Sequence, residues 1–193
     1  MIEREIKAIV TDPAAVAARL VSAGATREFR GLMTDRRFDR EWALTAKEEV
    51  LRLRRYHAEG RPPRVVLGWK GPVAIERDAK LREEIEVETT GDIDGLLQAL
   101  GYREIHVVDR FVEIYRHGDA VIRLEWYPRM DVLIEVEGSE PAIAAAVAVL
   151  GIPRADYSAD ALTAFVARYR LAGGDPALSL AELGDAPPSW SAG

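Results

Sequence analysis

Short segments in which charged and apolar residues alternate recur along the chain, and this pattern restricts the possible folds more than any other feature. In the first segment, Glu3, Glu5 and Lys7 are separated by steps of two. Because successive side chains of a β-strand point to opposite faces, these three charges project from one face and apolar side chains from the other. Short turns such as HAEGRPPR and RHGD suit antiparallel hairpins. The pattern predicts strands at 2–10, 27–39, 49–57, 64–70, 81–89, 105–116, 119–126 and 131–138.

Helical segments separate some of these strands. Asp12 fits an N-cap, with Pro13 at the first helical position and Gly24 at the end of the helix. Further helices are predicted in DIDGLLQALG, EPAIAAAVAVLG and SADALTAFVARYR, the last with Ser158 as its N-cap. Residues 173–193 are rich in Gly, Pro, Ala and Ser, and we expect a tail that is flexible or lightly docked. The remaining residues, 1–172, are expected to form one domain of the α+β class.

Composition excludes several classes of protein. The 193 residues include no cysteine, so disulfides and thiolate metal sites are excluded and a reducing cytoplasm is the expected location. No apolar run approaches the roughly 20 residues that cross a bilayer, and the first residues show no signal-peptide pattern. A net charge of −6 argues against a general nucleic-acid binder. We therefore expect a soluble protein, either a monomer or a homodimer, with no membrane partner.

The charged strand faces allow two arrangements. For a single amphipathic strand, the commoner arrangement is an open sheet whose charged face meets water and forms salt bridges. Across about seven segments, however, the charged face is almost entirely Glu and Arg, without the Thr, Ser and Gln of an ordinary exposed face. This composition favours a closed, eight-stranded antiparallel β-barrel with helices packed on its apolar outside and a charged interior. The interior would form a wet tunnel.

A tunnel lined by both signs of charge predicts the chemistry of its ligand. Crowded carboxylates repel one another until a cation lies between them, and oxygen-only ligands suit Mg²⁺ or Mn²⁺. Guanidinium and ammonium groups on the same walls match phosphate. The two together predict a metal-chelated, triphosphate-containing small molecule.

Seven segments, in order over about residues 2–170, resemble those of the CYTH family, also called triphosphate tunnel metalloenzymes. They are Glu3-x-Glu5-x-Lys7, RRFD, LRLRR, WKGP, REEIEVE, LIEVEG and ADYSADAL. The resemblance implies an eight-stranded antiparallel tunnel and divalent-metal-dependent chemistry on triphosphates. Members of the family include class IV adenylyl cyclases, thiamine triphosphatases, inorganic triphosphatases and RNA triphosphatases.

The resemblance also implies roles for particular residues. The implied metal-binding carboxylates are Glu3, Glu5, Glu84, Glu86, Glu125, Glu135 and Glu137. The implied phosphate-binding residues are Lys7, Arg52, Arg54, Lys70, Arg82, Arg110 and Arg123. Of these residues, Glu3, Glu5, Lys7 and Glu86 are the expected catalytic set.

Two positions depart from the family pattern. Where the family often has Lys-x-Arg, this chain has Val108-Asp109-Arg110, so one phosphate ligand is missing. Arg123 lies on the same predicted face, and we hypothesise that it replaces the missing lysine. Glu125 stands where Asp is common, which keeps the carboxylate but extends its side chain by one carbon–carbon bond.

The expected function is hydrolysis of a triphosphate: inorganic tripolyphosphate, thiamine triphosphate or a nucleoside triphosphate. Hydrolysis is preferred because it needs no adenine pocket, and none can be identified in the sequence. Two alternatives stay open, because the same charged residues would serve them. One is a class IV adenylyl cyclase that converts ATP to cyclic AMP and pyrophosphate, and the other is a non-catalytic polyphosphate-binding module.

Overall fold

The computed structural model describes residues 2–76 and 79–191, without the side chains of residues 2, 3 and 76. The strands are β1 (Ile2–Val10), β2 (Thr26–Asp39), β3 (Val50–His57), β4 (Arg64–Lys70), β5 (Ala74–Glu76), β6 (Ala79–Thr89), β7 (Arg103–His117), β8 (Ala120–Trp126) and β9 (Val132–Glu137). The α-helices are α1 (Pro13–Ser22), α2 (Ile93–Ala99), α3 (Glu140–Leu150) and α4 (Leu162–Leu171). All eight predicted strands are present within three residues at each end, and β5 is an addition. No helix in the described part of the chain has the length and apolar character needed to span a membrane.

The strands close into a ring. Their order is β1-β9-β8-β7-β2-β3-β4-β6, every pair is antiparallel, and β6 pairs back with β1 through Lys80 and Glu5. The short strand β5 adds to β6 beside the end of β4, because Ala74 pairs with Leu81 while Lys70 pairs with Glu84. The predicted eight-stranded antiparallel barrel is therefore confirmed.

Helices cover the apolar outside of the ring. α1 and α3 pack over β1, β8 and β9, where Leu20 and Leu150 contact the cluster that contains Ile6, Ile122 and Ile134. α2 covers another face through Leu97, which packs with Phe38 and Leu53. The alternation therefore places apolar side chains beneath helices and turns the charged rows inward.

The interior of the ring is not charged throughout. At one end, inward-facing positions of β2, β3, β4 and β7 carry apolar or aromatic residues instead of charges. They form one buried cluster, the apolar plug, which consists of Met33, Tyr56, Val66, Val112 and Ile114. Side chains therefore fill the ring at this end.

The start of α4 differs from the prediction. The predicted N-cap, Ser158, is wrong: the helix begins at Leu162, and its N-cap Ala161 makes no side-chain cap hydrogen bond. Ser158 instead pairs with β1, where its N–H and C=O bond the backbone of Lys7 at 2.8 Å each. Because an extended segment at Ser158 meets β1, the helix cannot start there. α4 then packs Phe165 against Tyr127.

The last described residues lie against β7 and the β8–β9 connection. Arg129 and Ala177 exchange two backbone hydrogen bonds of 2.8 and 3.1 Å, and the Asp109 N–H donates to the carbonyl of Leu178. Ala177 is fully buried. Trp190 stacks on Phe111 with 6.4 Å between the ring centroids.

Candidate functional site

The inward charges between the plug and α4 surround one cavity of about 230 Å³, which we name the charged chamber. Twelve of the predicted site residues line it: Glu5, Lys7, Arg52, Arg54, Lys70, Arg82, Glu84, Glu86, Arg110, Arg123, Glu135 and Glu137. They come from β1, β3, β4, β6, β7, β8 and β9, because every second residue of each strand faces inward. The chamber therefore collects side chains that lie far apart in the sequence.

Lys7 lies among acids of β1 and β9, which are also bound by an arginine of β8. Its Nζ lies 3.0 Å from Glu5 Oε1 and 2.5 Å from Glu135 Oε2. Arg123 contacts Glu135 as well, and its Nη1 lies 2.7 Å from Glu137 Oε2. Burial alone would raise the pKa of Glu5, but the ammonium groups of Lys7, Lys80 and Lys70 together outweigh it, and the pKa of Glu5 is lowered to about 2. The acids here are ionised and held by cations.

A second group surrounds a residue that was not predicted, Asp35 of β2. Arg54 donates from Nε and Nη2 to the two Asp35 oxygens at 2.6 and 2.8 Å. Arg110 also donates to Asp35, and Arg52 Nη1 lies 3.8 Å from Asp35 Oδ2. Burial opposes ionisation, yet the three guanidinium groups hold the pKa of Asp35 well below its usual value.

The third group joins β3, β4 and β6. Arg52 Nη2 donates to Glu84 at 3.1 Å and to Glu86 at 2.8 Å, and Lys70 Nζ lies 3.0 Å from Glu84. Burial acts to raise the pKa of Glu86, but Arg52 and Arg54 lower it. Glu86 is therefore held in its ionised form.

The charges of the chamber do not balance. Among the described side chains, nine lysines and arginines and six acids line it, and Glu125, which binds Arg110 from outside the lining, brings the acids to seven, although the whole chain carries a net charge of −6. The Nε–H groups of Arg52, Arg110 and Arg123 are buried and have no acceptor among the described residues. Since buried polar groups are almost always hydrogen-bonded, unused donors beside an excess of positive charge indicate an anion site.

The three remaining positions discussed in the sequence differ in their outcome. The Glu3 side chain is outside the described residues, although its backbone pairs with Arg82. Glu125 is 1% exposed and does not line the chamber; it accepts hydrogen bonds from Arg110 Nη1 at 2.9 Å and from the Tyr127 hydroxyl at 2.7 Å. Val108 does line the chamber, at the side where α4 packs.

Arg123 and Val108 lie at different levels of the ring. Arg123 pairs across the sheet with Ile114, six residues along β7 from Val108. At about 3.3 Å per residue, this separation is roughly 20 Å along the strand. Arg123 thus adds a cation to another part of the chamber and does not stand in the position of the missing lysine.

Sequence reasoning missed Asp35, Arg37 and Lys80, which also line the chamber. In TDRRFD, Asp35, Arg36 and Arg37 are consecutive charges, so the alternation does not show which face is inward. The cross-strand register would have shown it, because Asp35 pairs with Arg54 and Arg37 with Arg52. Lys80 lies just before the predicted start of its strand.

The carboxylates fit a hard divalent cation by their chemistry. Among the described side chains, which do not include that of Glu3, no three acids or histidines form a ready-made metal site, and Glu5 and Glu137 are each paired with a base. Glu5 and Glu137 are nevertheless cross-strand neighbours on β1 and β9, and Glu135 lies opposite Lys7. Such an oxygen-only set suits Mg²⁺ or Mn²⁺ if the Lys7 ammonium moves aside.

Solved structures share this architecture. A putative adenylate cyclase from Vibrio parahaemolyticus matches with a TM-score of 0.72 and 19% identity, over 86% of this chain and 98% of its own. The PH1819 protein from Pyrococcus horikoshii OT3 matches with a TM-score of 0.67 and 23% identity, over 87% and 99%. HpAC1 from Hippeastrum, a putative adenylyl cyclase described as having a dominant triphosphatase activity, matches with a TM-score of 0.61 and 18% identity, over 92% and 99%.

No protein-family description and no curated protein sequence matches the chain. At identities below one quarter, the structural likeness shows the fold. The fold that the CYTH resemblance implies is thereby confirmed. The activity has to be argued from the chamber itself.

Proposed function

We propose that this protein hydrolyses triphosphates in the charged chamber with the help of a divalent metal ion. The observation that carries the proposal is the excess of cations in the chamber, together with the three buried guanidinium Nε–H groups that have no acceptor. A triphosphate offers oxygens for these donors and negative charge for the excess cations. The triphosphatase activity described for HpAC1, a protein of the same fold, supports the choice of reaction.

The phosphate groups would be bound by Arg52, Arg110, Arg123 and Lys70. Phosphoryl transfer depends chiefly on positioning and charge neutralisation, which these fixed cations supply. Glu5, Glu135 and Glu137, with Glu3, would hold Mg²⁺ or Mn²⁺, which supplies Lewis-acid activation and a more acidic bound water. Glu86 is ionised and can accept a proton from the attacking water.

Adenylyl cyclase activity is the second candidate. Five apolar residues line the chamber beside the charges: Val50, Val73, Val108, Ala161 and Leu162. They would offer an apolar contact to the nucleoside of ATP, whose 3′-hydroxyl would replace water as the nucleophile. The Vibrio protein of the same fold carries that description.

The test is an assay of purified protein with Mg²⁺ or Mn²⁺ against tripolyphosphate, thiamine triphosphate and ATP. We expect phosphate release that EDTA abolishes. An Arg123→Ala variant should lose affinity for the substrate, whereas Arg116→Ala, which removes an exposed arginine outside the chamber, should not. Cyclic AMP as the product would favour the cyclase, and tight binding without products would favour a polyphosphate-binding module. Turnover that persists in EDTA would contradict the metal-dependent mechanism.

A further inference from the structure

Asp35 lies where three arginines of the charged chamber meet. It is 4% exposed, and its carboxylate is in contact with Arg54 and Arg110 and lies near Arg52. Buried guanidinium groups this close repel one another, so without a counterion they would move apart or draw in water. Asp35 therefore determines how these cations can be arranged.

The hydrogen bonds of Asp35 fix the orientation of two guanidinium groups. Arg54 uses Nε and Nη2 on Asp35 in a two-point contact, and its Nη1 lies 3.4 Å from the Tyr56 hydroxyl of the apolar plug. Arg110 uses Nη2 on Asp35 and Nη1 on Glu125, which leaves its Nε–H without an acceptor. The unused donor of Arg110 is thus aimed by the bonds that the other two nitrogens make.

We propose that Asp35 is a positioning residue that holds Arg54 and Arg110 in the orientation needed for phosphoryl transfer. The inference rests on the proposed function, because it concerns the same chamber. Asp35 does not contact the acids that would hold the metal. Its two oxygens are occupied by guanidinium groups, so it acts through the arginines and not on the reacting atoms.

If Asp35 has this role, its substitution should lower the rate of turnover without weakening substrate binding. Asp35→Asn removes one negative charge from the chamber, so electrostatic attraction for a polyanion stays the same or rises. The same change frees Arg54 and Arg110 to move, and a misplacement of about 1 Å can cost roughly 100-fold in rate. We expect kcat to fall about 10- to 100-fold while the Kd for tripolyphosphate is unchanged or lower.

The experiment compares wild type, Asp35→Asn, Asp35→Glu and Asp119→Asn. Asp119 is exposed in the β7–β8 turn, so its variant makes the same charge change away from the chamber. Calorimetry in EDTA measures tripolyphosphate binding, and phosphate release with Mg²⁺ gives kcat. Asp35→Glu keeps the charge but moves the carboxylate by one methylene group, and we expect wild-type affinity and a smaller loss of kcat than in Asp35→Asn.

Wild-type kcat in Asp35→Asn, a raised kcat, or an equal loss of affinity and kcat would each overturn the proposal. If Asp35→Asn does not fold, a wild-type kcat in Asp35→Glu would do so. If the wild type binds tripolyphosphate without turnover, the proposed hydrolysis fails on its own. Asp35 is then tested by NMR: the Arg54 Nε–H signal should be protected from solvent exchange in the wild type and lost in Asp35→Asn, and its persistence there would overturn the positioning role.

Discussion

The arginines of the charged chamber differ in how many of their N–H groups are already bound. Arg54 uses Nε and both Nη atoms on Asp35 and Tyr56. Arg52, Arg110 and Arg123 each keep a buried Nε–H with no acceptor in the described structure. A buried donor without an acceptor costs about 1–3 kcal/mol. A phosphate oxygen would therefore gain most by binding the last three, while Arg54 serves to neutralise charge from a fixed place.

Asp39, at the end of β2, stabilises the turn that leads towards the chamber. Its carboxylate accepts hydrogen bonds from the N–H groups of Arg40, Leu44 and Thr45 at 2.7, 3.1 and 2.9 Å, and from the Thr45 hydroxyl at 2.6 Å. Burial acts to raise the pKa of Asp39, but these hydrogen bonds lower it overall. A carboxyl group whose pKa is lower in the folded state stabilises the protein above its unfolded pKa, and that contribution is lost as the pH falls.

We therefore predict that Asp39→Asn lowers the free energy of unfolding by about 2 kcal/mol at pH 7 and by clearly less at pH 3. The measurement is urea unfolding of both proteins at the two pH values. Asp12→Asn is the matched control, because Asp12 is an exposed N-cap of α1 and asparagine caps helices equally well. An equal difference at pH 7 and pH 3 would show that the charge of Asp39 is not what stabilises the turn.

At the level of single residues, the sequence predicted most of the chamber but not Asp35. Arg52 and Arg54 alternate with leucines, so their inward direction follows from the strand period alone. Asp35 stands in a run of charges, and only the pairing of β2 with β3 shows that it meets Arg54. Glu125 shows the opposite case. The alternation correctly predicts that its side chain points inward, but Arg110 and Tyr127 enclose it, so it does not line the chamber.

At the level of elements, the long strands were predictable and the irregular segments were not. Three residues are too few for a periodic signal, which is why β5 was missed. The register of β2 against β7 shifts between Arg37, which pairs with His106, and Phe38, which pairs with Glu104, so that Ile105 of β7 is an extra residue that the alternation does not reveal. The apolar plug was missed for a different reason: Val66 lies between Val65 and Leu67, so both faces of the strand are apolar there and the alternation does not show which one is inward.

The docked segment 175–191 is predicted to contribute to stability. Ala177 and Leu183 are buried, and Leu180 N–H donates to the Asp109 carboxylate at 2.8 Å. Burial of one leucine is worth about 1.5–3 kcal/mol, so we expect deletion of 175–193 to lower the free energy of unfolding by about 3 kcal/mol. Urea unfolding of the full-length and the truncated chain measures this difference in free energy. Trp190→Ala, which removes one aromatic contact, should cost about 1 kcal/mol. An unchanged unfolding midpoint in the truncated chain would mean that the segment is only lightly docked.

At the scale of the whole molecule, ring closure would make the binding of a metal ion and the binding of a triphosphate, if they occur as proposed, depend on each other. In the chamber, Lys7 and Arg123 occupy the acids that would hold a metal, and those same cations would bind phosphate. A metal ion must displace the cations, and a triphosphate must draw them from the acids. Binding of either ligand would therefore break the ion pairs that oppose binding of the other, so the two ligands would bind with positive coupling.

The ring also limits the direction from which a substrate can arrive. The apolar plug fills its interior at one end, where Met33 and Val112 are fully buried, so a phosphate chain could enter the chamber by its end but could not thread through the ring. If hydrolysis occurs as proposed, we predict phosphate release from tripolyphosphate and from long linear polyphosphate, but not from polyphosphate whose two ends are blocked as phosphoramidates. Phosphate release with each substrate at equal concentration of phosphate units measures this. Cyclic trimetaphosphate, which has no terminal phosphate, is the control and should also be inert. Hydrolysis of the end-blocked polymer at a rate near that of the unblocked one would show that internal phosphates reach the chamber, and that the plug does not determine how substrates enter.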